Sequence, residues 1–257
     1  MNKYYTVFSI VKIAFFFWIY DFFVYLGDTW LAIMGGSWEE QPYLADSLAC
    51  ILMLPFYGLI FYFGYIRKSR QENVLDTTGK TYTVTTVMTL GMGGISYGWL
   101  TLVDVAFQNI PFIQESTERF QEFEDSMGNE SYFWVFLSVV AIGPIVEELI
   151  FRGLIFNEAE KIRAGWFPVI MSAVLFGLFH MEFVQIIYTI IMGFIFGLVY
   201  QRTRSFVLVC YMHILNNLLV TPPGILDNDA YFNVLTVVQI IMILPAIYLV
   251  IRWIKVY

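Results

Sequence analysis

The sequence predicts an all-α, polytopic membrane bundle of about eight transmembrane helices, and three observations carry that prediction. Of its 257 residues, 59% are hydrophobic and 14% charged, whereas a soluble domain carries about 25% charged residues and cannot hide so much apolar surface. Eight apolar stretches are each long enough, at ~1.5 Å per residue, to cross or nearly cross a ~30 Å hydrocarbon layer. The charges between those stretches alternate in sign. At this length one integral-membrane domain over 1–257 is the simplest organisation.

The first stretch, 4–34, is longer than a span needs and is interrupted by Lys12, Asp21 and Asp28. No small-residue cleavage site follows it, so it reads as a retained span and not a signal peptide. The second and third run over 46–66 and 82–107, and the fourth, 131–156, holds two adjacent carboxylates. The fifth and sixth, 166–180 and 184–200, are short and nearly continuous, a pattern that fits a tilted or re-entrant member. The seventh is 206–220 and the eighth 231–254. Backbone groups in lipid must be satisfied within the segment, so stretches this apolar are helices.

Basic residues follow the even stretches: Arg67, Lys68, Arg70 and Lys80, then Lys161 and Arg163, then Arg202 and Arg204, then Arg252 and Lys255. The odd connections hold Glu39 and Glu40, the acidic 108–130 loop, Glu182, and Asp227 with Asp229. Under the positive-inside rule this places both termini in the cytoplasm. The 108–130 loop sets six acids against the single Arg119. It reads either as a solvated outer loop or as an electrostatic collector of cationic peptides. Cys50 and Cys210 fall in apolar spans without a CxxC spacing and read as reduced core residues. No HExxH, phosphate-binding glycine loop or basic, aromatic-interleaved patch is present, so nucleic acid is not an expected partner.

Gly94-Ile-Ser96-Tyr-Gly98 matches G-x-S-x-G, but that elbow needs a strand-to-helix turn to expose its serine. Inside a membrane helix, Gly91, Gly94 and Gly98 read better as a small-residue packing face. Glu147, Glu148 and Arg152 carry more chemistry. An ionisable residue at membrane depth costs roughly 2.5–3.5 kcal/mol on insertion scales and is usually functional. Glu148 and Arg152 are one helical turn apart in the favourable acid-first order, while Glu147 is rotated by about 100°. The expectation is a paired Glu148 and a Glu147 free to meet water as a general base. A purely structural ion pair would account for Glu148 and Arg152 and leave Glu147 without a reason. Pro144 removes a backbone donor just before this group and predicts a kink. His180 closes the fifth stretch, and His213 shares a helix face with Asn217, four residues on, with Asn216 pointing elsewhere.

At these residues the chain resembles the CAAX protease and bacteriocin-processing family (CPBP, also called Abi), which includes the eukaryotic CAAX-prenyl-protein endopeptidase. The family pattern EExxxR, FxxxH and HxxxN, each on its own membrane helix, matches Glu147-Glu148…Arg152, Phe176…His180 and His213…Asn217 in order. The resemblance covers about 133–220 and implies a catalytic core over 131–220, in spans four to seven. It also implies an eight-helix intramembrane endopeptidase whose cavity opens toward the cytoplasm. Glu147 with His180 would polarise a water, His213 with Asn217 would stabilise the oxyanion, and Glu148 and Arg152 would support them. No metal is the leading expectation; the alternative is zinc held by Glu147, His180 and His213.

The resemblance points to a membrane-associated peptide or protein precursor as substrate, in bacterial peptide maturation or bacteriocin self-immunity. A non-catalytic immunity or scaffold protein that binds a bacteriocin or a membrane partner is the alternative. A proton-coupled transporter using the same Glu and His residues would show repeats and broken helices, which the sequence lacks. Oligomeric state has no signature in the sequence.

Overall fold

The computed structural model describes residues 3–66, 77–223 and 228–255. Among the described residues there are nine helices and no strand: α1 Lys3–Ile33, α2 Pro42–Gly64, α3 Gly79–Phe107, α4 Pro111–Ser126, α5 Tyr132–Ile162, α6 Phe167–Phe179, α7 Phe183–Thr203, α8 Phe206–Val220 and α9 Asp229–Lys255. By length and composition, α1, α2, α3, α5, α7 and α9 are each able to cross a membrane. The helices α6 and α8 are apolar but shorter, with 13 and 15 residues. At ~1.5 Å per residue they reach only about 20 Å, so each ends short of a full crossing. These two helices lead to His180 and carry His213. The expected spans four to seven are α5 to α8, because α4 intervenes.

Leaving α4 aside, consecutive helices run antiparallel, and side-chain contacts fix the two ends of the bundle. At one end Arg204 pairs with Glu160, Arg202 donates to the Trp253 carbonyl and Gln201 to the Gly165 carbonyl. At the other, both carboxylate oxygens of Glu130 accept from the Tyr43 and Leu44 amides, satisfying the open N–H groups at the start of α2. There also Tyr132 donates to the Thr221 carbonyl and Tyr231 to the Leu219 carbonyl. Lys80, Lys161, Arg163, Arg202, Arg204, Arg252 and Lys255 all belong to the first end, and Glu39, Glu40, Glu130, Glu182 and Asp229 to the second. Arg67, Lys68, Arg70 and Asp227, which also entered the charge pattern, lie outside the described residues.

Helix α1 is tied to the core by a fully buried carboxylate. Glu158 accepts from Ser9 Oγ at 2.8 Å, Lys12 Nζ at 3.0 Å, Lys161 Nζ at 2.7 Å and the Tyr65 hydroxyl. Lys12, an interruption in the sequence of a span, is therefore a ligand of an acid on α5. Cys50 and Cys210 are buried free thiols, as expected.

Two expectations change. The 108–130 connection is not an open loop: it contains α4, started by Pro111 and amphipathic, with Ile113, Ser116 and Phe120 buried against the bundle. Its polar majority hid it from an argument based on apolar length. Pro144 does not act by a kink alone. Flanking it, α5 widens into π turns over Phe136–Ala141 and Leu149–Ile155, the local form in which helices often host functional groups.

Candidate active site

The widened register of α5 follows from two small-scale constraints. The Ile142 amide donates five residues back, to the Leu137 carbonyl. In that register a Cβ on residue 143 would collide with the Ser138 carbonyl, so only glycine fits there. The Pro144 nitrogen then faces the Val139 carbonyl and has no hydrogen to give. That carbonyl accepts instead from Asn217 Nδ2 of α8, at 2.8 Å. Proline on one helix thus creates the acceptor that fixes an amide on another. Asn216 Nδ2 donates in turn to Asn217 Oδ1 at 3.1 Å. Asn216 therefore does not point elsewhere: α8 sets both amides beside the same cavity.

Beyond Pro144 the two glutamates separate as their rotation requires. Glu148 is fully buried, and its Oε1 accepts from Arg152 Nη1 and from His213 Nδ1, each at 2.9 Å. Arg152, also fully buried, donates Nη2 to the Gly193 carbonyl at 3.0 Å. Its guanidinium lies 4.7 Å from the Phe176 ring centroid and 5.3 Å from that of Phe196, so aromatic faces share the charge that Glu148 balances. Gly193 can approach because α6 and α7 pack at close range; a Cβ there would sit 3.0 Å from Ala173 Cα and 3.0 Å from Phe176 Cδ1.

Glu147 is held differently. Its side chain keeps 23% of its exposure, and its Oε2 stands 3.8 Å from His213 Nε2, within Coulombic reach but beyond a hydrogen bond. Glu147 Oε2 is buried and, like Glu148 Oε2, has no hydrogen-bond partner among the described residues, but of the two acids Glu147 is the one that lines the cavity. A buried carboxylate oxygen with nothing to accept is costly, and a water or a substrate donor in the cavity would satisfy it. His213 thus bridges the pair, with Nδ1 on Glu148 and Nε2 toward Glu147.

His180 sits one residue past α6, where Met181 adopts the left-handed region (φ 64°) and turns the chain into α7. Its Nδ1 lies 2.9 Å from the Phe176 carbonyl. A carbonyl only accepts, so Nδ1 carries the proton and Nε2 of the neutral ring is an acceptor. The Phe176 ring stands edge-on to both imidazoles, with centroids 4.9 Å from His180 and 5.7 Å from His213.

These side chains meet at one cavity of about 270 Å³, lined by Glu147, His180, His213, Asn216 and Asn217 together with residues of α3, α4, α7 and α9. Of the residues singled out by motif and spacing, Glu147, His180, His213 and Asn217 therefore converge, and Glu148 and Arg152 lie outside the lining, joined to it through the His213–Glu148–Arg152 contacts. Ser96 also lines the cavity, but its Oγ donates to the Met92 carbonyl inside an unbroken helix, with no elbow to activate it. Among the described residues, no three of the His, Cys, Asp and Glu side chains are grouped to hold a metal ion. His213 Nδ1 is engaged by Glu148, which leaves Nε2, on the Glu147 side, as the nitrogen with which it could ligate a metal.

The cavity belongs to the acidic end of the bundle. Its wall includes Phe120, Phe123, Glu124 and Met127 of and just after α4, Val220 and Thr221 at the end of α8, and Phe232 near the start of α9. Toward the basic end the core is closed by the continuous buried run Leu149–Phe156. Two expectations therefore conflict: a mouth at the acidic end cannot open to the cytoplasm if the basic loops lie there. Sequence reasoning put Asn216 on another face and missed Glu124 and the buried Gln239 of α9; an amide in the middle of a long apolar helix was the available signal for the last of these.

Residues 129–219 match the family model "Type II CAAX prenyl endopeptidase Rce1-like". A protein of Bacillus subtilis (strain 168) named "Putative membrane peptidase YdiL" is 33% identical over 76 residues, which cover 30% of this chain and 31% of that protein. The chain thus spans about a third of the length of the curated relative it matches. No solved structure matches it. The matched region is the one that supplies Glu147, Glu148, Arg152, His180, His213 and Asn217, so the similarity to the Rce1-like model falls on the part of the chain that builds the cavity.

Proposed function

We propose that the protein is an intramembrane endopeptidase that hydrolyses a peptide bond in a membrane-associated peptide or protein precursor, with Glu147 as general base. The observation that carries this reading is the unpartnered Glu147 Oε2 at a cavity shared with two histidines and two amides. Water held between Glu147 and His180 Nε2 attacks the carbonyl carbon and gives its proton to Glu147. The Asn216 and Asn217 amides offer N–H groups to the developing oxyanion. Glu147 then returns the proton to the leaving amine as the C–N bond breaks. His213 donates from Nε2 only when both ring nitrogens are protonated; with one proton, on Nδ1, its work is orientation. Glu148 and Arg152 position His213 and touch neither water nor substrate.

The test is cleavage of candidate peptide precursors by full-length protein in nanodiscs, with and without a chelator, for wild type, Glu147→Gln and His180→Ala. Removing a general base lowers turnover by about 10²–10⁴-fold. Wild-type cleavage that is lost in Glu147→Gln and indifferent to chelator supports the proposal. Equal cleavage by Glu147→Gln sinks it, and loss to chelator with recovery on zinc addition moves the chemistry to a metal. If no peptide is cleaved while both variants still protect cells from a bacteriocin, the non-catalytic binding role replaces it.

A further inference from the structure

The cavity's charge is lopsided. Its lining contains two carboxylates, Glu147 at the floor and Glu124 at the α4 side, and no lysine or arginine. Helix α4 also carries Glu115, Glu118, Glu122 and Asp125, all exposed and outside the cavity lining. The single cation of α4, Arg119, is engaged by Glu115 at 2.6 Å and Glu182 at 2.8 Å. Glu124 is solvent-exposed and has no ion-pair partner among the described residues.

The helix that holds Glu124 is anchored, not adrift. Ser116 Oγ accepts from the Val184 amide at 3.2 Å. The Tyr43 hydroxyl donates to the Phe123 carbonyl at 3.0 Å. Ile113 and Phe120 pack with Val103 and Val184. An acidic side chain is therefore fixed over the entrance of an apolar-walled cavity, where field lines concentrate and counter-charges collect.

We propose that this cavity takes a cationic peptide segment entering beneath α4, with Glu124 as the specificity-determining residue that meets a lysine or arginine of the substrate. The identity of the occupant as a peptide rests on the peptidase reading above. The charge preference rests on the cavity itself. The same carboxylates repel a peptide that presents its own free carboxyl terminus or acidic flanks at the mouth.

The experiment uses full-length Glu147→Gln in phosphatidylcholine nanodiscs, with empty nanodiscs as the lipid control. The probes are fluorescent peptides sharing one apolar centre and flanked by Lys, Gln or Glu. The Lys-flanked peptide should bind roughly tenfold tighter than the Glu-flanked one at low salt, with the gap closing as salt screens the mouth. Adding Glu124→Gln should cost the Lys-flanked peptide about three- to tenfold and leave the Gln-flanked peptide unchanged, as expected for a partly screened ion pair. Adding Glu122→Gln, on the same helix but outside the cavity lining, should change neither. Equal binding of all three peptides, no binding at all, or indifference to Glu124→Gln overturns the proposal. Wild-type turnover of the same peptides separates the two readings. Charge-selective binding without cleavage upholds this inference and removes the peptidase. Cleavage without charge selection does the reverse.

Discussion

Replacing Arg152 by methionine exposes how the site is held. Arg152 and Glu148 are each fully buried, with 2.9 Å between Nη1 and Oε1. Methionine keeps much of the stem volume, so the change is chiefly electrostatic. It leaves the Glu148 carboxylate with His213 Nδ1 as its remaining donor and deprives the Gly193 carbonyl of its own. Breaking one side of a buried pair costs about 3–5 kcal/mol, because a desolvated charge stays behind. Glu148→Gln in the same background removes that charge while Oε1 still accepts from His213. The double variant should recover about 2–3 kcal/mol relative to the sum of the single losses. Equilibrium unfolding in mixed micelles, run as a double-mutant cycle, gives the number. Single effects that add to within about 0.5 kcal/mol would refute the reasoning, since they would show that the two groups do not sense each other.

Other perturbations test other links. Gly94→Ala should destabilise the protein, because its Cβ would drive into the Gln239 carbonyl and stand 2.8 Å from Ile243 Cγ1, whereas Gly98→Ala meets nothing within 4 Å and should be neutral in the same thermal-shift measurement. Gly143→Ala should abolish activity in the cleavage assay even where the protein still folds, since it forces out the π register that presents Val139 to Asn217. Glu158→Leu should loosen α1 by taking the acceptor from Ser9, Lys12, Tyr65 and Lys161, with the loss small for the two lysines, which reach solvent, and with limited proteolysis of the α1–α2 connection as the readout. A Gly128→Cys label beside α4 should react with an impermeant maleimide in intact cells, and Lys80→Cys only after permeabilisation. The native Cys50 and Cys210 are buried and stay silent. The opposite pattern would place the basic loops outside.

What the sequence made legible follows from the period of a helix. Spacing of four put Glu148 against Arg152 and left Glu147 to another face, and the structure keeps that division. The apolar stretches located the long helices to within about four residues at each end, except that α5 runs on to Ile162, six residues past the expected end at 156. What stayed hidden depends on register or on partners far along the chain. A π turn has no composition of its own, so Pro144 read as a kink and Asn216 was placed on the wrong side. In α4 the buried face is three residues wide, too little for a search by apolar length. The small-residue face was half right: Gly91 and Gly94 meet Met242, Ala246, Gln239 and Ile243 of α9, and Gly98 meets nothing. A face can be predicted from spacing, but the length over which a neighbour covers it cannot.

The two short helices explain why these polar groups sit where they do. A helix that spans the bilayer spends its backbone groups on itself and offers only side chains. Helix α6 stops after 13 residues, and in the turn that follows His180 lines the cavity while Met181 is exposed. Irregular backbone at depth is tolerated where it is buried in protein or lines a water-filled space. Such an end also lets His180 Nδ1 use the Phe176 carbonyl, an oxygen without its usual helical donor, and so turns Nε2 toward the cavity. On α5 the same logic works through proline: a missing N–H frees the Val139 oxygen that orients Asn217. At both places the bundle gives up a backbone hydrogen bond and reuses the orphaned carbonyl to aim a side chain. Fixed aim, more than any one residue type, lets five polar groups share one small cavity without neutralising each other, and it leaves Glu147 as the member with a buried, unclaimed oxygen.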